Sequence, residues 1–186
     1  IHPDYGVLAS RIIISNNHKN TSPSFSETIE ILYRNINNLG KNTPLISREI
    51  YEIVMKNKEK LNDIIDYNRD FNFDYFAYKT LERAYLIKIN KVVIERMQSL
   101  FLRVSLGLHK DNIKKVIETY DLMSMRCFTH ATPTLFHAGT DKPQLLSCFL
   151  LGMSDSISGI YKCLSNSAQI SKWAGGIGIH ISYIRC

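Results

Sequence analysis

The stretch SCFLLGMSDSISGIYKCLSNSAQISKWAGGIGIHISYIR, residues 147–185, decides the fold class of this chain. Its apolar run SCFLLGM predicts a short buried strand, and SDSISGIYKCLSNSAQISKWAG predicts a helix that starts at capping serines. The turn AGGIG then leads into IHISYIR, whose alternating pattern predicts a second strand. The order strand, helix, glycine turn, strand is typical of the start of an α/β layer or barrel.

The part of the chain before this stretch has a helical pattern. Apolar residues recur at helical spacing, most clearly between Ile113 and Met123. Helices are expected over 2–18, 25–36, 47–65, 73–85, 98–108 and 111–125, with a short β excursion at 86–95. After residue 126 the period is lost, which predicts a loop with one helical turn. The expected fold class is mixed α/β, a mostly helical N-terminal region that leads into the first strands of an α/β domain.

Composition excludes several classes of protein. The chain has 186 residues, of which 45% are hydrophobic, and this is ordinary for a globular protein. Its net charge of +6 suggests anionic partners such as phosphates. No run of 18 apolar residues occurs, so no transmembrane helix is expected. The chain opens at Ile1 without Met or a signal peptide and ends inside a predicted strand, so we expect it to be part of a longer protein.

The four cysteines form no C-x-x-C pair, which argues against a zinc site and against a thioredoxin-like motif. No metal site is expected, and a reducing intracellular compartment is the default for so few cysteines. Cys148 is the informative one, because it stands at the start of the predicted strand. As a residue type it fits an inert core thiol, whereas a reactive thiol needs access and an activating group or a second thiol.

Several other residues are candidates for binding anions. Asp155 and Ser156 precede a predicted helix, whose N-terminus is a natural seat for phosphate, although a plain helix cap is the alternative. Lys172 and Arg185 flank the glycine turn and could meet phosphates or be solvated. Thr132 could contact an anion or make a turn hydrogen bond. The glycines follow a helix and precede a strand, the reverse of the dinucleotide-binding fingerprint.

These phrases together resemble a known family. In chain order, the chain resembles the N-terminal part of the large subunit of eukaryotic-type class I ribonucleotide reductase. The resemblance covers essentially the whole chain, and FTHATPTLFHAGT with QLLSCFLL and AGGIG is its most specific part. The phrases that carry it are HPDYGVLASRI, NRDFNFDYFAYKTLERAYLIK, RVSLGLHKDNI, TYDLMSMRCFTHATPTLFHAGT, QLLSCFLLGMSDSISGIY and ISKWAGGIGIHISYIR.

The resemblance implies a reaction and places residues in it. The family replaces the ribose 2′-OH of ribonucleoside diphosphates with hydrogen by thiyl-radical chemistry, and a cysteine pair supplies the electrons. It implies that Cys148 is the first member of that redox pair. It also implies that Thr132 and Ser147 contact the substrate, Thr132 chiefly at the diphosphate, and that Gly176 borders it. The second cysteine and the thiyl cysteine belong to family segments beyond this chain, so the chain alone is expected to be inactive.

The resemblance also implies two allosteric sites. Asp155, Ser156 and Ile157 match the helix start of the specificity site, which binds a deoxynucleoside triphosphate near the dimer interface. Lys172 and Arg185 match the basic positions of that same site. A separate activity site senses ATP against dATP.

Lys19 matches a basic position of the activity site, which lies in the domain called the ATP-cone. The implied domains are 1–22 as the C-terminal tail of this cone, 23–146 as the helical N-terminal domain and 147–186 as the start of a ten-stranded α/β barrel. The rest of the cone would precede Ile1.

The implied setting is cytoplasmic, with no metal or cofactor in this subunit. A di-iron small subunit would supply the radical, thioredoxin or glutaredoxin the reducing power, and the large subunit would form dimers or higher oligomers. Binding to nucleic acid or to a membrane is not expected. Two alternatives stay open: an adenosylcobalamin-dependent or glycyl-radical reductase of the same superfamily, and a noncatalytic basic helical module that binds nucleic acid.

Overall fold

A computed structural model describes residue 2 and residues 4–185. The predicted helix start at Pro3, and the ends of the chain at Ile1 and Cys186, lie outside the described residues. The chain divides into two compact units, residues 1–129 with 138–142, and residues 130–137 with 143–186. The first unit is helical and the second holds a parallel β-α-β motif, so the expected mixed α/β class is confirmed.

The first unit contains seven α-helices, one 3₁₀ helix and one hairpin among its described residues. In chain order these are α1 (Asp4–Asn20), α2 (Phe25–Tyr33), α3 (Arg48–Lys56), α4 (Lys58–Ile64), a 3₁₀ helix (Tyr67–Asn72), α5 (Tyr75–Ala84), β1 (Lys88–Ile89), β2 (Val92–Val93), α6 (Met97–His109) and α7 (Ile113–Ser124). Four of these α-helices, α2, α3, α5 and α7, begin at Ser, Asp or Asn caps whose side chains accept a backbone N–H of the first turn.

Helix α6 lies at the centre of this unit. Its residues from Met97 to Leu106 are all buried, including four polar ones. Arg103 is completely buried and pairs with the completely buried Glu95, with 2.6 Å between Nε and Oε1. A second guanidinium nitrogen of Arg103 donates to the carbonyl of Ala138 at 2.7 Å, which fixes the 138–142 segment on this helix. The buried charges are thus paired and hydrogen-bonded, as burial requires.

The end of α1 is held by a second polar network in the same unit. His18 Nε2 lies 2.7 Å from Oδ2 of the buried Asp70. Gln98 donates to the other oxygen of Asp70 at 3.0 Å. Arg96 donates to the carbonyl of His18 at 2.9 Å and lies over the ring of Tyr67, and burial lowers the pKa of this arginine from its ordinary value. Residues next to Lys19 are therefore firmly placed.

Two predictions in this unit are wrong in detail. The single helical stretch expected over 47–65 is two helices, broken at Asn57, whose amide donates to the carbonyl of Ile53 at 2.8 Å and competes with helix propagation. The helix expected over 25–36 ends at Tyr33. A loop follows it, in which Asn35 donates to the carbonyl of Thr43 at 2.9 Å.

The second unit contains α8 (Thr132–His137), β3 (Cys148–Gly152), α9 (Ile157–Lys172) and β4 (Gly176–His180). Strands β3 and β4 pair in parallel, and Cys148 lies opposite Gly176 in the register. Two predictions need correction. The second strand comprises 176–180 and not 179–185, because pairing with the five-residue β3 ends at Gly152. Strand β3 is not buried, because its residues alternate between exposed and half-buried.

Candidate thiol site and nucleotide-binding segments

The start of β3 carries an exposed cysteine side chain. Cys148 is an exposed free thiol, so it is not a core residue of the described chain. Its face of the strand also carries Leu150, whose side chain is 91% exposed, whereas Phe149 and Leu151 are half-buried on the other face. An exposed thiol at a strand end has the access that thiol chemistry requires.

Ser147 and Gly176 lie directly beside this thiol. The hydroxyl of Ser147 donates to Sγ of Cys148 at 3.6 Å, and the backbone N–H of Gly176 donates to the carbonyl of Ser147 at 2.7 Å. A Cβ atom at position 176 would lie 3.2 Å from that same carbonyl oxygen. The structure therefore brings three of the predicted site residues together, and a side chain at position 176 would crowd the carbonyl of Ser147.

Helix α8 positions the segment that leads into β3. Thr132 begins this helix and is half-buried. Thr134 is buried and its hydroxyl donates to the carbonyl of Leu145 at 3.0 Å, so this threonine makes a structural hydrogen bond. The Nδ1 atom of His137 lies 3.1 Å from the carbonyl of Gln144, and its ring meets Trp173 edge-on. Sequence reasoning missed His137 as a positioning residue, and its place one helical turn after Thr134 was the available signal.

The predicted specificity-site residues fall into two groups. Asp155 pairs with Arg185, with 3.2 Å between Oδ2 and Nε. Ser156 caps α9 and accepts the N–H of Gly159 at 3.1 Å, and the side chain of Ile157 is 77% exposed at the first helical position. The helix start and Arg185 therefore form one cluster.

Lys172 does not join that cluster within one chain. It is the last residue of α9, and its ammonium lies 5.8 Å from the centre of the Trp173 ring. At 1.5 Å per residue, the 16-residue helix separates Lys172 from Ile157 by about 22 Å along its axis. Asp155 and Lys172 therefore lie near opposite ends of α9.

Lys19 is exposed on the last turn of α1 in the first unit. It lines a cleft of about 340 Å³ together with Arg11, Ile12, Ser15 and Asn16. Two cations eight residues apart thus share one face of the helix. No group of His, Cys, Asp and Glu suited to a metal ion occurs within residue 2 and residues 4–185. None of the described helices is long and apolar enough to cross a membrane.

Taken together, the described residues define an α/β protein in which a helical region is followed by a parallel β-α-β unit. An exposed thiol lies at the start of β3, opposite Gly176 of β4. Comparison with known proteins agrees with this α/β class. Residues 71–143 match the family model described as "Ribonucleotide reductase, all-alpha domain". Residues 146–186 match the one described as "Ribonucleotide reductase, barrel domain".

Individual relatives extend the similarity to the whole chain. The Saccharomyces cerevisiae protein "Ribonucleoside-diphosphate reductase large chain 2" is 57% identical over 187 residues, covering 100% of this chain and 22% of the relative. The proteins named "Ribonucleoside-diphosphate reductase large subunit" from Arabidopsis thaliana and Monkeypox virus are 55% and 54% identical. Each alignment covers 99% of this chain, and 23% and 24% of the respective relatives. The chain belongs to the large-subunit family of ribonucleoside-diphosphate reductase, and it spans under a quarter of the length of these relatives.

Proposed function

We propose that this chain is the N-terminal part of a catalytic large subunit that reduces ribonucleoside diphosphates to deoxyribonucleoside diphosphates. The observation that carries the proposal is the exposed thiol of Cys148, set beside Ser147 and in register with Gly176. A thiol held at a strand end with open space next to it can reach a small substrate, and membership of the family supplies the reaction class.

In the proposed reaction Cys148 is one of two thiols that deliver two electrons. The substrate loses its 2′-OH as water, gains hydrogen at the 2′ carbon, and the two thiols become one disulfide. A thiyl radical on a further cysteine first removes the 3′ hydrogen and later returns it. Three cysteines therefore take part, and the proposal assigns one of these roles to Cys148.

The neighbours of the thiol would hold the substrate. The hydroxyl of Ser147 and that of Thr132 can each donate to an oxygen of the substrate, with Thr132 at the diphosphate. Gly176, the partner of Cys148 in the register, would let the substrate approach the strand backbone, because glycine carries no side chain. The hydrogen bonds of Thr134 and His137 to the segment 144–145 would keep this geometry fixed.

Regulation is proposed at two sites. A deoxynucleoside triphosphate would bind at Asp155, Ser156 and Ile157, with the carboxylate accepting a sugar hydroxyl and the helix N-terminus favouring phosphate. Arg185, now paired with Asp155, would meet the phosphates. Lys172 would serve the same class of site in a second copy of the chain, since its own helix places it too far from Asp155.

The activity site is the second regulatory proposal. Lys19, on the same face of α1 as Arg11, would contribute a cation to the binding of ATP or dATP. In the working enzyme a di-iron small subunit would generate the radical, and thioredoxin or glutaredoxin would reduce the disulfide. A homodimer or higher oligomer in the cytoplasm is the proposed setting.

A chimera tests the catalytic role directly. The chain replaces the equivalent segment of the yeast relative, and deoxynucleotide formation is measured with the yeast small subunit. We expect the chimera to be active and its Cys148→Ser variant to fall to background, because a hydroxyl cannot form the disulfide. The matched control is Cys127→Ser, which changes another exposed thiol and should retain activity. Full activity of the Cys148→Ser chimera would refute the proposal.

Nucleotide response separates this proposal from a nucleic-acid-binding module. We expect dTTP to promote association of the chain with itself in sedimentation experiments, and Asp155→Ala to abolish that response. Salt-dependent binding to generic DNA, with no response to dTTP, would instead favour a basic nucleic-acid-binding module. Reduction in the chimera that depends on adenosylcobalamin and not on the small subunit would favour the other reductase class.

A further inference from the structure

A basic cleft lies in the first unit, away from every residue assigned above. It has a volume of about 690 Å³ and is formed by α5 and the β1–β2 hairpin. Four cationic side chains line it, Lys79 and Arg83 from the helix and Lys88 and Lys91 from the hairpin. A volume of this size is in the range of small-molecule binding sites.

The charges of this cleft are mostly unneutralised. Glu82 is the one carboxylate among its described lining residues, and this group is engaged by Lys79 and by the hydroxyl of Tyr78. The ammonium of Lys88 is oriented by a hydrogen bond to the carbonyl of Arg83 at 3.0 Å. With four cations and one carboxylate, the lining carries a net charge of +3. Such a concentration of one sign in a concave site attracts anions.

The hairpin turn supplies a second, independent observation. Asn90 and Lys91 both adopt positive φ angles, 49° and 69°, as a two-residue hairpin turn requires. Glycine is strongly favoured at the second of these positions, and a lysine there is strained. Lys91 thus occupies a turn position that favours glycine, and its side chain lines the cleft.

We propose that this cleft binds a polyphosphate anion, with the phosphate oxygens among Arg83, Lys88 and Lys91. Arginine and lysine are the side chains that recognise phosphate through charge-assisted hydrogen bonds. The ring of Phe76 also lines the cleft and is 79% exposed, so it offers a stacking surface for a base. The ligand is therefore either a free polyphosphate or the polyphosphate of a nucleotide. The site does not depend on the reductase reaction.

The test uses the full chain labelled with ¹⁵N and titrated with inorganic tripolyphosphate. We expect the backbone amide signals of residues 83–93 to shift on binding, and the shifts to weaken as salt is raised. Lys91→Gly should lower the affinity by about tenfold, the usual effect of losing a hydrogen bond to a charged group. The same variant should raise Tm, because it relieves the strained φ angle. Loss of affinity with a gain in stability cannot come from unfolding.

The control variant is Lys114→Gln, which removes an exposed charge from α7 outside the cleft and should leave the affinity unchanged. A second titration with ATP identifies the source. Tighter binding of ATP that Phe76→Ala reduces to the level of tripolyphosphate assigns a nucleotide, and equal binding of both assigns a free polyphosphate. If the amides of 83–93 respond to neither ligand, or if Lys91→Gly and Lys114→Gln lower the affinity equally, the proposal is wrong.

Discussion

At the residue scale, Gly107 allows α6 to pack closely against the backbone of Ala138 and Gly139. A Cβ atom at this position would lie 2.3 Å from the backbone nitrogen of Gly139 and 2.6 Å from the carbonyl carbon of Ala138. Gly139 itself has a φ of +85° and packs on Arg103. Both contacts involve backbone atoms, which cannot rotate away as a flexible side chain can. Helix α6 and the 138–142 segment therefore meet only because position 107 is glycine.

We predict that Gly107→Ala destabilises the chain by about 1–3 kcal/mol, the usual cost of overpacking. Helix propensity alone would favour alanine by about 1 kcal/mol, so the sign of the effect distinguishes packing from propensity. The measurement is chemical unfolding followed by circular dichroism. Gly6→Ala in α1 is the matched control, because a Cβ there has no heavy atom within 4 Å and should stabilise the helix. Equal effects of the two substitutions would contradict the packing argument.

Ala174 lies just after the end of α9 and has a positive φ angle, which the sequence did not predict. The N–H of Gly175 donates to the carbonyl of Ile170, and that of Ala174 to the carbonyl of Ser171, both at 3.1 Å. This is the Schellman arrangement, whose left-handed residue is usually glycine. Here Ala174 takes that place with a φ of 61°. The glycines after it serve instead the close approach to β3.

Ala174→Gly is therefore predicted to stabilise the second unit by up to about 1 kcal/mol, since the left-handed penalty of alanine exceeds the added chain entropy of glycine. The opposite sign is expected for Ala168→Gly, in the exposed middle of α9, at a cost of about 1 kcal/mol. Thermal unfolding of the two variants measures the difference. A loss of stability in Ala174→Gly as large as that in Ala168→Gly would show that the strain is absent.

At the scale of elements, the buried ion pair of Arg103 and Glu95 connects α6 to the hairpin before it. Glu95 precedes the helix, accepts the N–H of Ile87 at 2.9 Å and pairs with Arg103, so it joins the hairpin to the central helix. We predict that Arg103→Met costs about 3–5 kcal/mol, because it leaves a buried carboxylate unpaired. The double variant Glu95→Met with Arg103→Met should recover much of that loss. Chemical unfolding of both variants measures it, and no recovery would mean that the remaining bonds of Arg103 dominate.

Tyr67, in the 3₁₀ helix before α5, makes the stability of the chain depend on pH above about pH 10. Burial raises the pKa of Tyr67 to about 12 from its usual 10. Below pH 10 this phenol is neutral in the folded and the unfolded chain, so it makes no pH-dependent contribution there. Between pH 10 and 12 the unfolded chain loses its proton first, and stability falls as pH rises. Burial also raises the pKa of Tyr120, which changes stability with pH in the same direction.

We predict that Tyr67→Phe reduces this fall in stability between about pH 10 and 12, by up to about 1.4 kcal/mol per pH unit. At neutral pH the variant should lose about 1 kcal/mol, because Ser99 loses its hydrogen bond to the phenol. Urea unfolding at several pH values measures both effects. Tyr5→Phe, at an exposed ring, is the control. An unchanged pH slope in Tyr67→Phe would contradict the assignment.

The elements also show what the sequence could predict. Periodicity placed every α-helix longer than nine residues and the hairpin near Asn90, because their apolar spacing is set by the side they bury. It did not place the break at Asn57, which depends on one side-chain hydrogen bond, nor the start of β4, which depends on pairing with β3. The exposure of Cys148 was equally beyond reach, since residue type favours burial and only the packing around the strand decides it.

At the scale of the whole molecule, the resemblance to the family predicted the candidate site residues, and the structure showed how they are arranged. The phrases around Thr132, Cys148 and Asp155 are individually weak, and only their order along the chain identified the family. The structure then brought Ser147, Cys148 and Gly176 together and paired Asp155 with Arg185, while it separated Lys172 from them. Within the described chain, the predicted site residues therefore form two separate groups, one at the start of β3 and one at the start of α9, with Lys172 apart from both.

The last prediction is that the 186-residue chain, mixed with the yeast small subunit, forms no deoxynucleotide. The proposed reaction uses a thiol pair and a separate thiyl cysteine, whereas Cys148 is the one exposed thiol among the described residues of the second unit. Product formation from labelled ribonucleoside diphosphate is the measurement, with the full-length yeast large chain as the positive control. Turnover by the chain alone would require a second redox partner within it, and would overturn the assignment of Cys148 as half of a pair.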